Sequence, residues 1–427
     1  MLVSKFLYGI FLFCYQFGIR LYAPFDRKAK KWLEGRKGWQ KKYSNLLHPG
    51  ENRIWIHCSS LGEFEQGRPL IEALKKTHSQ YKIVLSFFSP SGYEIRKDYA
   101  LADYVIYLPM DGKRNAALFL DLIDPSMAIF VKYEFWFYYL QRLKERLVPV
   151  ILISAAFRQS QPFFQWYGLF FRKMITSFNF IFVQDEQSLQ LLKGIGHIKT
   201  VQIAGDTRFD RVSDIAMSAP ALPFIGKFKG MERILIAGST WPEDERVLSA
   251  CMEGFPAGWK LVIAPHEIDP SHLQAIEKLF PKSVRYSQLQ EMQPGIPIVA
   301  NVLVIDNIGI LSALYAYGEV AYIGGGFQKS GIHNVLEPAV FGLPLVFGPA
   351  YKKFIEAAQL VSKGLAFPVS SASEALSTFQ KLAGDDVLRR NIHDSLRQFV
   401  EGNKGSTDFI LSKLAEGNWL KSLFLHT

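Results

Sequence analysis

After residue 50, short and continuously apolar runs alternate with helix-patterned stretches, and they do so in two successive sets. The first set lies at residues 53–58, 82–87, 104–107, 127–131, 150–153, 180–183 and 201–203, with helical patterns such as 62–76 and 134–146 between them. The second lies at 233–237, 260–264, 302–305, 320–323 and 344–347. Runs that are apolar throughout, rather than at every second position, belong to strands covered on both faces. Strands separated by helices make that sheet parallel. Between Ser213 and Lys229 the pattern lapses into Ala, Pro, Ser and Gly, which reads as a linker. The expectation is an α/β chain of two doubly wound Rossmann-like domains, with ligands at the carboxyl ends of the strands in the cleft between them.

The 427 residues suffice for two cores. Three scattered cysteines, Cys14, Cys58 and Cys251, fit neither a disulfide framework nor a zinc site, and no His/Cys/acid cluster has ligand spacing. No metal and no cofactor is expected. Net charge is +10, and eight of the basic residues fall between Asp26 and Lys42. They follow an apolar stretch over residues 6–19. That stretch is shorter than the roughly 20 residues a spanning helix needs, but extended to residue 25, with Lys5 and Arg20 snorkelling, a tilted span fits. Residues 1–26 are therefore read as an uncleaved membrane anchor, spanning or interfacial, with the basic run held against anionic lipid on the cytoplasmic side. A buried N-terminal helix is the competing reading. No recognition motif accompanies the positive charge, so nucleic acid is not an expected partner.

The chemistry-bearing segments sit at strand ends. Ile323-Gly324-Gly325-Gly326 closes an apolar run, and a loop leads through His333-Asn334 to a helix pattern carrying Glu337. Glycines admit a ligand close to the backbone, and a helix start offers N–H groups to phosphate. Glu337 is placed to accept from ribose hydroxyls or, more plainly, to complement the helix dipole. Ser60-Leu61-Gly62-Glu63-Phe64 puts a carboxylate where a helix begins, as a general base or a first-turn charge. Glu134, in Tyr133-Glu134-Phe135-Trp136, orients an acceptor, carries a proton, or merely starts a helix. Arg158 and Arg208 suit a carboxylate or phosphate, or a salt bridge between domains. Ser239-Thr240 and Pro265-His266 follow the first two strands of the second set.

Together these segments resemble the 3-deoxy-D-manno-octulosonic acid (Kdo) transferases of lipopolysaccharide assembly, over nearly the whole chain. The resemblance implies a GT-B fold, with an acceptor domain at residues 27–215 and a donor domain at 216–427. It implies inverting transfer of Kdo from CMP-Kdo to the lipid A precursor at the inner membrane, without a bound metal. Glu63 then matches the general base, Glu134 the second acid of a Glu-x-Glu-x-Trp motif, and Glu337 the ribose-binding carboxylate. Ser239, Thr240, Pro265, His266, Gly325, Gly326 and Asn334 join Arg158 and Arg208 as expected substrate contacts. Lys132, Phe137 and the His266-Glu267 pair depart from the commonest family pattern. A GT-B enzyme using a UDP-sugar, or an inactive membrane-bound binding protein, are the alternatives.

Overall fold

The computed structural model describes residues 2–196, 200–293 and 297–420. Among them the chain forms two compact units. The first holds β1 (Arg53–Cys58), β2 (Lys82–Phe87), β3 (Tyr104–Tyr107), β4 (Pro125–Val131), β5 (Val150–Ala155), β6 (Phe180–Val183) and β7 (Val201–Ile203). They form one sheet in the order β3-β2-β1-β4-β5-β6-β7. The second unit holds β8 (Arg233–Thr240), β9 (Trp259–Pro265), β10 (Ser283–Arg285), β11 (Val302–Val304), β12 (Val320–Ile323), β13 (Leu345–Phe347) and β14 (Ala366–Pro368), in the order β10-β11-β9-β8-β12-β13-β14. The recorded strand pairings are parallel. The central strands are buried along nearly their whole length, as their unbroken apolar runs require.

Each sheet has one place where neighbouring strands lead away in opposite directions. In the first it lies between β1 and β4, and in the second between β8 and β12. The connections at these two places leave to opposite faces and open a crevice at the carboxyl ends of the strands.

Three expectations are corrected. The boundary falls after Asp210, and the expected linker is largely helical, in Arg208–Met217 and Pro223–Lys229. Pro223 starts the second of these at a position where its missing N–H costs nothing. From Lys404 the chain belongs to the first unit rather than the second, and residues 421–427 of the expected donor domain lie outside the described residues. The returning helix Ser406–Glu416 buries Ile410 and Leu414 in the same cluster as Ile54 and Phe64. Finally, no described helix is long and apolar enough to cross a membrane. The helix Leu2–Tyr22 instead packs one face on the first unit: Leu12 is buried with Trp32, Phe88 and Met110, and Tyr8 donates to Asp111 Oδ2 at 2.7 Å.

The returning helix is capped from a distance. Asp210 Oδ1 accepts from the Gly405 N–H at 2.6 Å, and Oδ2 from the Thr407 N–H and hydroxyl at 2.7 Å each. Hydrogen bonds to a charged acceptor are worth about 1.5–3 kcal/mol. Asp210→Ala is expected to lower the stability of the first unit by about 2 kcal/mol in urea denaturation, and Asp210→Asn by less, because one acceptor remains.

Candidate active site

In the first unit, β1 delivers the helix Leu61–Thr77 at the β1/β4 divide. Ser60 caps it, and Glu63 answers by accepting from the Ser60 N–H at 3.0 Å, completing a capping box. The plain reading of Glu63 is thus realised, and the chemical one stands beside it. Burial, followed by the negative charge of Glu134, pushes the Glu63 carboxyl up to about 8, against the pull of the Ser59 and Ser60 N–H groups and of Lys132. A carboxyl with that affinity for protons is a competent base near neutrality.

Glu134 is not a helix-starting residue. It lies in the loop between β4 and the helix Phe137–Glu145, and is only 6% exposed. Its Oε2 accepts from Trp136 Nε1 at 2.7 Å and lies 3.0 Å from His57 Nε2. Lys132, at the turn out of β4, has φ +69°. So conformed, a non-glycine residue is strained, and such strain concentrates at working sites. Phe137, the departure that opens the helix after this loop, is buried against Phe170.

Of the expected arginines, Arg158 is exposed after β5, and its charge acts on Tyr133 beside Glu134. Arg208 is turned back on its own loop, with Nε 3.0 Å and a terminal nitrogen 2.6 Å from Asp206 Oδ2.

In the second unit the β8/β12 divide carries the other expected residues. Ser239 has φ +54°. Thr240 is fully buried, and its hydroxyl donates to Glu245 at 2.9 Å, so that side chain is committed inside the unit. Pro265 ends β9, and the N–H of exposed His266 donates to Thr240 O at 2.9 Å. The rings of Trp241, His266 and His333 stack, with centroids 4.8 Å apart for Trp241–His266 and 4.3 Å for His266–His333. Trp241 Nε1 donates to His333 Nε2 at 2.9 Å. Burial, and then His266, push His333 down to about 4.

The three glycines do two different things. Gly325, at φ +87°, makes the turn. Gly324 and Gly326 admit other backbone: a Cβ on the first would strike Ser239 and lie 2.6 Å from Thr240 Cα, and on the second 2.6 Å from Gly348 Cα. Asn334 Nδ2 donates to Glu337 Oε1 at 3.0 Å, and Ser312 Oγ to Oε2 at 2.8 Å. Both carboxylate oxygens are thereby oriented and each keeps a lone pair for a further donor.

Two residues at these sites were missed in the sequence. Asp244 ties the glycine turn to the β8 loop, accepting from Gly325 N–H at 2.8 Å, Trp241 N–H at 3.0 Å and Tyr322 hydroxyl at 2.8 Å. Its only local signal is its place three residues after Trp241, which reads as an ordinary helix start. His57 is the other. Its signal was a titratable side chain inside the otherwise apolar run of β1.

Comparisons with known proteins bear on the family and the fold. Residues 31–211 match the model of the family described as 3-deoxy-D-manno-octulosonic-acid transferase (kdotransferase). A 3-deoxy-D-manno-octulosonic acid transferase of Aquifex aeolicus is 28% identical over 339 residues, covering 77% of this chain and 85% of that protein. A bifunctional glycosyltransferase/methyltransferase of Fusobacterium nucleatum is 25% identical over 403 residues, 90% of this chain; the chain spans 60% of that longer protein. Among solved structures, a UDP-GlcNAc 2-epimerase from Neisseria meningitidis superposes with a TM-score of 0.58 at 16% identity, over 85% of this chain and the whole of that one, which shows the fold alone. With two parallel-sheet α/β units of GT-B kind, the chain is a relative of the 3-deoxy-D-manno-octulosonic acid transferases, a family of glycosyltransferases.

Proposed function

We propose that this chain transfers Kdo from CMP-Kdo to the lipid A precursor, with inversion, in lipopolysaccharide assembly. The observation that carries the reading is Glu63, a carboxyl raised to about 8 at the divide of the first sheet, beside a second buried acid. In the proposed step the acceptor hydroxyl oxygen bonds to the anomeric carbon while Glu63 takes its proton. The bond from that carbon to the CMP phosphate breaks, and the electron pair leaves with CMP. One displacement inverts the centre, so one base suffices. In the second unit, the Gly326 backbone, held in place by the Gly325 turn, with Ser239 and His266, serves the donor phosphate, and Glu337 with Asn334 serves the ribose.

Nucleotide choice tests the reading. CMP binds only the folded second unit, so at a concentration well above its Kd it is expected to raise that unit's melting midpoint. UDP at equal concentration is expected to leave it in place. The reverse order would point to a UDP-sugar.

The same reading puts the protein at the cytoplasmic face of the inner membrane, lying on it rather than spanning it. The helix Leu2–Tyr22 keeps Phe6, Phe11 and Phe13 more than 60% exposed. The basic stretch after it suits anionic headgroups. Flotation with vesicles rich in anionic phospholipid is expected to carry the wild-type chain. Replacing Phe6, Phe11 and Phe13 together by Asp should cut the bound fraction by about tenfold or more, since each buried aromatic contributes about 1.5–3 kcal/mol.

A further inference from the structure

β1 is buried from end to end, yet it carries His57, fully buried, between Ile56 and Cys58. A titratable ring in such a place is costly unless every polar atom has a partner. Here the partners form a chain. Trp55 Nε1 donates to Ser86 Oγ at 2.7 Å, and Ser86 Oγ lies 2.8 Å from His57 Nδ1, nearer than the Ser86 carbonyl at 3.2 Å. His57 Nε2 lies 3.0 Å from Glu134 Oε2. Trp136 Nε1 approaches both, at 2.7 Å from Glu134 Oε2 and 3.1 Å from His57 Nε2, and the shorter contact to the charged acceptor takes its proton.

The directions follow from the two ends. The Trp55 indole can only donate, so Ser86 accepts from it; the Glu134 carboxylate at the other end can only accept, so the neutral ring turns an N–H toward it and takes the serine's proton at Nδ1. That assigns the ring proton to Nε2, aimed at Glu134. Around the ring are Trp55, Phe130 and Trp136, with no other charged group recorded against it among the described residues. Glu63, reached through Glu134, is faced by Glu134 and Lys132 from the loop after β4, by Tyr133 of the same loop, and by Cys58 at the end of β1.

We infer that His57 is a positioning residue: it presents the Glu134 carboxylate, fixed between two N–H donors, to Glu63, and so sets the pH at which Glu63 becomes a base. The inference rests on the reading of Glu63 as the base. Without the imidazole N–H, buried Glu134 keeps one donor of two; a buried carboxylate so poorly partnered favours its neutral form, which no longer repels Glu63. Glu63 then gives up its proton at lower pH.

The test follows Glu63 directly, by the 13C shift of its side-chain carboxyl in glutamate-labelled full-length protein, assigned through Glu63→Gln. His57→Phe is expected to lower the titration midpoint by about half a unit or more. His57→Gln, which can still donate to Glu134, should return it toward wild type. Ser86→Ala, which removes the hydroxyl partner of Nδ1 and the acceptor of Trp55 but leaves both donors to Glu134, should lower it by a smaller step and serves if His57→Phe does not fold. In transfer assays the acidic limb of kcat should move to lower pH with the midpoint, while donor KM stays within about twofold. A midpoint that stays put in all three variants, or rises in His57→Phe, overturns the inference. A midpoint that falls while Glu63→Gln remains fully active leaves the pair standing and removes the base.

Discussion

Glu63→Gln is expected to lose about a thousandfold or more in kcat while remaining folded, and to be more stable than wild type at alkaline pH. The first half follows from chemistry. A general base contributes about 10²–10⁴ in rate, and an amide cannot take a proton from the acceptor hydroxyl. The second half follows from linkage. Folding raises the Glu63 carboxyl from its ordinary value near 4.5 to about 8, so between those values the folded state binds more protons than the unfolded state. Its contribution to stability is therefore undiminished below about pH 4.5, declines as the pH rises through that window, and is lowest above about 8. Glutamine carries no charge to bury and can still accept from the Ser60 N–H, so the capping box survives. With allowance for the solvent that reaches this partly buried side chain, the gain at about pH 9 is about 2 kcal/mol, vanishing near about pH 4. Chemical denaturation at the two pH values checks it. A variant less stable than wild type at the alkaline pH would show that Glu63 matters chiefly as a cap.

Gly324→Ala carries the second large effect. Gly324 does not need a left-handed backbone; it needs the room. Its N–H donates to Gly238 O at 2.9 Å, its carbonyl accepts from His333 N–H at 3.1 Å, and a Cβ would drive into the main chain of Ser239 and Thr240. Backbone cannot step aside as a flexible side chain would, and overpacking of this sort costs about 3 kcal/mol. The strain falls on the β8 loop that bears Ser239 and Thr240, so CMP affinity should fall about tenfold or more even where the second unit stays folded. Calorimetric titration of CMP, with a melt of the same sample, separates the two losses. Unchanged affinity and stability would mean that the β8 and β12 loops do not hold the nucleotide together.

The strand pattern was legible because the core strands are apolar on both faces, and twelve of the fourteen described strands lie where continuous runs placed them. The two that escaped, β10 and β14, are three-residue edge strands, one of them partly exposed and the other ending in Pro368. The destination of the helix Ser406–Glu416 was not legible. Its apolar stripe says that it packs, while the Asp210 cap and the cluster around Ile410 and Leu414 decide on which unit. The anchor misled for a related reason. A helix with an apolar stretch reads alike whether lipid or protein meets Leu12 and Tyr8, and here protein does on one face. At the site, Glu63 and Glu337 could be read because strand–turn–helix punctuation marks them. His57 and Asp244 act through partners distant in sequence, Glu134 and Gly325, which only the fold brings near.

The central claim is tested most directly by incubating the purified chain in detergent with the lipid A precursor and freshly made CMP-Kdo, with UDP-GlcNAc in a parallel reaction, and measuring glycolipid product and released nucleotide together. The account predicts Kdo-bearing product and one CMP per Kdo transferred, and no sugar moved from UDP. Transfer from UDP-GlcNAc, or CMP released without a matching product, would contradict it.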